Sequence, residues 1–365
     1  MSGIIAKVRF SVAAANLPAA DMLNPYGAGS AGPDFDYNAT VVYQTIRYVS
    51  RVAGNDQWVL EMQLNIISTA PRKPERRLPP WLKRPLPSGD FTHTREIVAA
   101  SGVATVCQEA KCPNLSECWS KRHATFMILG DKCTRRCHYC AVATARPDPP
   151  AADEPDRLAD AVAQLNLAHV VITAVARDDL KDEGAGHFAH CVRAIHERCP
   201  DTTVEVLPAD FHARRDCIET LCAARPELYN HNLEMVERLT PTIRPQGKYR
   251  RSLEVLRIVK ELAPALLTKS GVMVGLGETM DELRQTFQDL RDVQCDVLTV
   301  GQYLQPTLDD HAPVEKFYTP DEFEELGAFA RSLGFISVAA GPFVRSSYNA
   351  ADVFAESRRR VSALA

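Results

Sequence analysis

From about Thr125 onward, short apolar runs alternate with amphipathic stretches, and that alternation limits the chain to a few architectures. The strand-like runs are Thr125–Leu129, His169–Val175, Thr203–Leu207, Leu228–Asn232, Leu267–Val274, Val297–Gly301 and Phe335–Ala339. Between them apolar side chains recur at helical spacing. Phe188, Val192 and Ile195 fall at i, i+4 and i+7, as do Leu283, Phe287 and Leu290. Two helix starts are marked by capping boxes, Thr279 with Glu282 and Thr319 with Glu322, the second with Pro320 at the first helical position. Strand, helix, strand at this spacing means βαβ units and a parallel sheet. Six or seven such units predict an α/β fold built as a partial (βα)6 TIM-like barrel, with a doubly wound sheet as the alternative. In a barrel, function gathers where the strands end. The segments there are polar: Arg177-Asp178-Asp179, Asp210, Asn230-His231-Asn232, Gly275–Glu278 and Gln302–Gln305.

Cysteine is the second constraint. The chain has 11, an odd number, and no charged-then-apolar leader opens it. A disulfide framework is therefore a poor fit, and a reducing, cytoplasmic compartment with thiolate-bound metal is the better one. Cys133, Cys137 and Cys140 are spaced C-x3-C-x2-C, so one loop can supply three ligands to a cubane 4Fe–4S cluster. The fourth iron is left open, which marks a reactive rather than a structural site. A zinc or structural site lacking one ligand is the rival explanation. Cys107, Cys112 and Cys118 form a second set, C-x4-C-x5-C, whose fourth ligand must come from elsewhere. Cys191, Cys199, Cys217, Cys222 and Cys295 are isolated and are expected to be core or surface residues. Charge balance, 42 Lys and Arg against 46 Asp and Glu, supplies no basic field for nucleic acid. No apolar run reaches the roughly 18 residues that a membrane span needs.

The order C-x4-C-x5-C then C-x3-C-x2-C resembles the lipoyl synthase family of the radical S-adenosylmethionine (SAM) superfamily. So do CPNLSECW (Cys112–Trp119), ATFMILGDKCTRRCHYC (Ala124–Cys140), RDDL (Arg177–Leu180) and YNHNLE (Tyr229–Glu234). TKSGVMVGLGET (Thr268–Thr279), LTVGQYLQPT (Leu298–Thr307) and GPFVRSSYNA (Gly341–Ala350) complete the resemblance, which runs from about Arg72 to the C-terminus. It implies a radical SAM-type partial barrel and a sulfurtransferase. The implied reaction inserts two sulfur atoms at C6 and C8 of a protein-bound octanoyl-lysine, the final step of lipoate biosynthesis. The resemblance also implies two 4Fe–4S clusters. One, on Cys133, Cys137 and Cys140, would cleave SAM to methionine and a 5′-deoxyadenosyl radical. The other, on Cys107, Cys112 and Cys118, would be sacrificed as the sulfur source. Its fourth ligand would be a serine of Arg345-Ser346-Ser347-Tyr348, with Ser347 expected and Ser346 the alternative. Expected SAM contacts are Tyr139, Arg177, Asp178, Asn230, Asn232 and Gln302. Expected partners are octanoylated lipoyl carrier domains (2-oxoacid dehydrogenase E2 subunits and the glycine cleavage H protein), an electron donor and an iron–sulfur cluster assembly protein. No nucleic acid or membrane is expected.

Two stretches depart from the family pattern. Asp182-Glu183-Gly184 stands where the family usually has Gly-Gly after the aspartate, and Thr144-Ala145-Arg146-Pro147 where it often has Thr-Gly-Arg-Pro. The rivals are another sulfur-inserting radical SAM enzyme of the biotin synthase kind and a non-catalytic iron–sulfur or zinc protein. The upstream cysteine triad argues against the first. A barrel-sized chain with three cysteines per set argues against the second.

Residues 1–70 fall outside the resemblance. They are expected to be an atypical, poorly packed extension, with a weak edge-strand alternation at Thr40–Val52. The segment is not Arg-rich and acid-poor, so organellar targeting is not supported. Residues 71–122 comprise a basic, Pro-rich arm (Pro71–Asp90) and the auxiliary-cluster segment. The barrel is expected over 123–340, and a C-terminal segment carrying the serine ligand over 341–365. Residues 1–61 are expected to be dispensable, with Met62 as an alternative start.

Overall fold

The computed structural model describes residues 78–83 and 91–364 and, upstream, the backbone of three strands. It divides into two compact units, Met1–Arg77 and Leu78–Ala365. In the first, β1 (Ile5–Ser11), β2 (Val41–Arg51) and β3 (Trp58–Ser68) form an antiparallel sheet in the order β1-β3-β2. Val41 lies opposite Ser68 and Arg51 opposite Trp58. The extension expected over residues 1–70 thus carries three strands. β2 and β3 are rich in β-branched and aromatic residues, and Gly54-Asn55-Asp56 between them has turn chemistry. The edge strand expected at Thr40–Val52 coincides with β2. The expectations for 1–4, 12–40, 52–57, 69–77 and 84–90 lie outside the described residues, which include only 78–83 of the Pro-rich arm.

The second unit opens with α1 (Phe91–Ser101), β4 (Ala104–Thr105), α2 (Val106–Glu109), α3 (Leu115–Ser120), β5 (Thr125–Ile128), β6 (Lys132–Cys133) and β7 (Ala143–Thr144). Next come α4 (Glu154–Leu165), β8 (His169–Ala174), α5 (Ala185–Arg198), β9 (Thr203–Leu207), α6 (Arg215–Cys222) and β10 (Leu228–Asn230). The chain then forms α7 (Thr240–Ile243), α8 (Tyr249–Leu262), β11 (Leu267–Val274), α9 (Met280–Asp292), β12 (Val297–Gln302), α10 (Pro320–Ser332), β13 (Ser337–Gly341) and α11 (Ala350–Leu364). The large sheet has the order β13-β12-β11-β10-β9-β8-β5-β4. All its neighbours are parallel except β4, which runs antiparallel to β5. The order has two free ends, so the barrel is partial, as the alternation predicts.

Helices form where the apolar period placed them. Phe188, Val192 and Ile195 of α5 join a core with Val204 and Val206 of β9 and Leu158 and Val162 of α4. Leu283, Phe287 and Leu290 of α9 pack with Val272, Leu298 and Val300. Both predicted capping boxes are present, at Thr279 and Thr319. The opposite face of the strands is polar. Lys269 Nζ lies 2.9 Å from Glu205 Oε1, both fully buried, and Asn230 Nδ2 donates to Glu205 Oε1 at 2.8 Å. After β13 the chain passes close over β12. A Cβ on Gly301 would collide with the Val344 carbonyl, so glycine there admits the segment carrying Ser346 and Ser347.

Candidate active site

The loop with Cys133, Cys137 and Cys140 leaves the end of β5 through two left-handed residues, Leu129 (φ 67°) and Gly130 (φ 93°). Left-handed backbone is costly for leucine and is held here by partners. Leu129 N–H donates to Glu154 Oε2 at 2.9 Å, and Arg177 Nη1 donates to the Leu129 carbonyl at 3.0 Å. β6 then pairs in parallel with β7, clasping the ends of the loop. Cys133 Sγ accepts N–H bonds from Arg135 (3.4 Å) and Ala176 (3.3 Å), the kind of bond that tunes cluster thiolates. His138 N–H donates to the Ile243 carbonyl at 2.8 Å, and His311 Nε2 lies 3.0 Å from the Cys140 carbonyl. Contacts from three parts of the barrel rim thus fix the loop.

The thiols are crowded and dry. Burial, then the neighbouring Cys137 and Cys133, pushes the Cys140 thiol up to about 12. Burial also pushes Cys137 up, with Arg244 opposing. Such thiols stay protonated until a positive metal centre compensates them, so the set fits an iron–sulfur cluster. Tyr139 is half-buried, and its phenol, beside Cys137 and Glu234, is raised well above its ordinary range, by desolvation first.

Cys107, Cys112 and Cys118 line one cavity together with Arg345, Ser347 and Tyr348. Ser346 is not in its wall; Asn232 Nδ2 donates to the Ser346 hydroxyl at 3.3 Å. The cavity is closed by bonds between distant segments. Asn114 Nδ2 donates to the Phe343 carbonyl at 2.7 Å, and Tyr348 Oη donates to Glu117 Oε1 at 3.0 Å. Burial, and next among the raising causes Cys112, lifts the Cys107 thiol. Three sulfur donors and the Ser347 hydroxyl lining one cavity suit a cluster with one harder, oxygen ligand.

The six expected SAM contacts divide. Tyr139 and Asn232 lie by the cysteine loop, and Asn232 Nδ2 also reaches Glu234 Oε1 at 3.1 Å. The buried Oδ1 atoms of Asn230 and Asn232 have no partner, leaving acceptors available inside the barrel. Asp178 accepts from Thr134 and from Arg135, in the cysteine loop. The side chains of Arg177 and Gln302 are engaged with other groups of the protein. The Arg177 guanidinium, 1% exposed, is spent on Asp179 and the Leu129 carbonyl. The Gln302 amide donates to three carbonyls, of Val274, Tyr303 and Lys316, and accepts from Tyr318 N–H. Sequence reasoning missed Glu234 and Arg244. Glu234 lies within YNHNLE and has a left-handed backbone (φ 73°), so a motif carboxylate was its signal. Arg244 has no sequence signal; it donates to the Asn232 carbonyl at 3.4 Å. Of the isolated cysteines, Cys191, Cys217 and Cys295 are buried, and Cys199 and Cys222 are half-buried. Among the described residues no helix is long and apolar enough to cross a membrane.

Comparison with known proteins places these features. Residues 127–290 match the model of the radical SAM superfamily. A lipoyl synthase of Rubrobacter xylanophilus is 51% identical over 282 residues, covering 77% of this chain and 88% of that protein. A lipoyl synthase of Halalkalibacterium halodurans is 51% identical over 289 residues, 79% of this chain and 95% of its own. Among solved structures, a methylornithine synthase is similar with a TM-score of 0.43 at 11% identity, over 69% of this chain and 78% of that one. A maturase of the FeFe-hydrogenase is similar with a TM-score of 0.45 at 14% identity, over 74% and 71%. Half the residues shared with full-length relatives across three quarters of the chain is decisive, and the chain belongs to the lipoyl synthase family of radical SAM enzymes.

Proposed function

We propose that this chain inserts two sulfur atoms, at C6 and C8, into an octanoyl group amide-linked to a lysine of a lipoyl carrier domain. The observation that carries this is the cavity shared by Cys107, Cys112, Cys118 and Ser347, on the same barrel as the Cys133–Cys140 loop. Unactivated C–H bonds lie beyond acid–base chemistry, and SAM with two bound 4Fe–4S clusters would supply the radical and the sulfur. The chain's own residues do the holding. Cys133, Cys137 and Cys140 would hold one cluster and leave it a position for SAM. Tyr139 lies within that loop, and the Oδ1 atoms of Asn230 and Asn232, which have no partner, would offer acceptors to a bound SAM. Cys107, Cys112 and Cys118 would hold the auxiliary cluster, and Ser347 would add an oxygen ligand, harder and less usual there than thiolate.

The physiological partners proposed are the carrier domains of 2-oxoacid dehydrogenase E2 subunits and the glycine cleavage H protein. An electron donor and a cluster assembly protein complete the set, in the cytoplasm. The test is mass measurement on an octanoyl-lysyl peptide after anaerobic incubation with SAM and a reductant. Gain of two sulfur atoms supports the reading. A tightly bound zinc in place of two clusters, or SAM cleavage with no sulfur gained, overturns it.

A further inference from the structure

A second set of ligand-bearing side chains lies beside the cysteine loop. Asp178 follows β8, Glu183 precedes α5, and His212 sits in the short turn Phe211–Ala213 after β9. One ligand atom from each lies within 4.8 Å of the others. His212 Nδ1 is 3.0 Å from Glu183 Oε1 and 3.9 Å from Asp178 Oδ1.

The informative group is Glu183. The residue is only 7% exposed, yet its Oε2 has no hydrogen-bond partner. The nearest cation, Arg135 Nη2, stands 3.9 Å away and is committed to Asp178 at 2.6 Å, while Nη1 is committed to Asp210 at 2.8 Å. Asp210 is completed by Arg251 Nε at 2.8 Å. The carboxylates of Asp178, Glu183 and Asp210 thus face the guanidinium groups of Arg135 and Arg251, with Arg214 acting on Glu183 and Arg244 on Asp210, yet none of these cations hydrogen-bonds Glu183 Oε2. Buried charge is found paired or bound to metal. His212 Nδ1 lies 3.0 Å from Oε1 and leaves Oε2 without a hydrogen bond. A cation seated among the three side chains would draw on that carboxylate.

We propose that Asp178, Glu183 and His212 form a binding site for a divalent transition-metal ion of the zinc or ferrous class. One imidazole nitrogen with two carboxylates suits such ions, whereas Mg²⁺ prefers oxygen and water alone. The side chains of Asp178 and His212 are 30% and 45% exposed, so the site opens to solvent and leaves room for water ligands. Asp178 also accepts from Thr134 Oγ1 at 2.9 Å and from Arg135, the two residues after Cys133. The ion would therefore brace the cluster loop through Asp178.

The test uses the full chain with both clusters reconstituted, dialysed anaerobically against Zn²⁺ with Mg²⁺ in excess. One zinc per chain is expected beyond the cluster iron, with zinc-edge X-ray absorption showing nitrogen and oxygen neighbours and no sulfur. Glu183→Gln and His212→Ala should each weaken retention by roughly tenfold or more. Sulfur neighbours, no zinc retained by the wild type, or equal retention in both variants would overturn the site. The absorption measurement on the wild type decides the matter even where a variant fails to fold.

Discussion

At the level of single residues, the two cysteine sets should be separable by mutation. Cys137→Ala removes a ligand of the cluster with the open iron, so 5′-deoxyadenosine production is expected to vanish; normal production would disprove the assignment. Cys112→Ala spares that loop. SAM cleavage should persist while sulfur insertion is lost, and lipoyl product from this variant would mean that sulfur comes from elsewhere. The serines make a sharper contrast. Ser347 lines the auxiliary cavity, whereas Ser346 is bonded to Asn232. Ser347→Ala should change the Mössbauer signature of one iron in the auxiliary cluster. Ser346→Ala should leave it unchanged, and the reverse pattern would exchange their roles. The spacing of six cysteines was legible because ligands on one loop are close in sequence. The choice between adjacent serines was not, because it depends on which one a strand 40 or more residues upstream, β12, lets face the cavity.

Individual elements obey local rules, and α9 shows how far these reach. Thr279 caps it by accepting from Glu282 N–H at 3.3 Å, and Thr279 N–H donates to Glu282 Oε2 at 2.8 Å. Thr279→Ala should cost about 1 kcal/mol, read as a lower urea midpoint. Arg238 and the Thr279 N–H together hold the Glu282 carboxyl at about 2, below its ordinary 4.5. A depressed carboxyl stabilises the fold above its unfolded value and loses that contribution as pH falls through its folded value. The stability difference between wild type and Glu282→Gln should therefore be full above pH 4.5 and shrink toward pH 2. A difference constant over that range would show that the carboxylate contributes nothing. Caps and apolar periods located α9 and α10 from sequence because each is satisfied within one helical turn. β2 was marked by its weak alternation, but β1 and β3 escaped, since their partners lie elsewhere in the chain.

Over the whole molecule, the division between units moves a boundary. Met62 lies inside β3, the central strand of the first sheet, so a chain starting there would keep half a strand without its partners. Unpaired strand backbone invites association. A chain beginning at Leu78 leaves the second unit whole and should retain the iron and sulfide of both clusters. One beginning at Gly89 loses Leu82, buried at 4% exposure, and the Trp81 indole bond to the Tyr318 carbonyl at 3.1 Å. Burial of one leucine is worth about 1.5–3 kcal/mol, so this shorter chain should melt earlier and hold less iron. Equal melting of the two chains would show that residues 78–83 are not part of the barrel unit.

Sequence alone determined the alternating elements, the helix caps, the parallel sheet and the spacing of the two cysteine sets. Each of these is written in residues within a turn, a strand or a loop of one another. Tertiary structure alone decided that Ser347 rather than Ser346 faces the auxiliary cavity, and that Arg177 and Gln302 brace backbone. It also brought Asp178, Glu183 and His212 together around an unpaired carboxylate oxygen. Those outcomes depend on contacts such as Asn114 with Phe343 and Glu117 with Tyr348, between segments 229 and 231 residues apart. Periodicity and spacing carry no information at that distance, because only packing of the closed chain sets which groups meet.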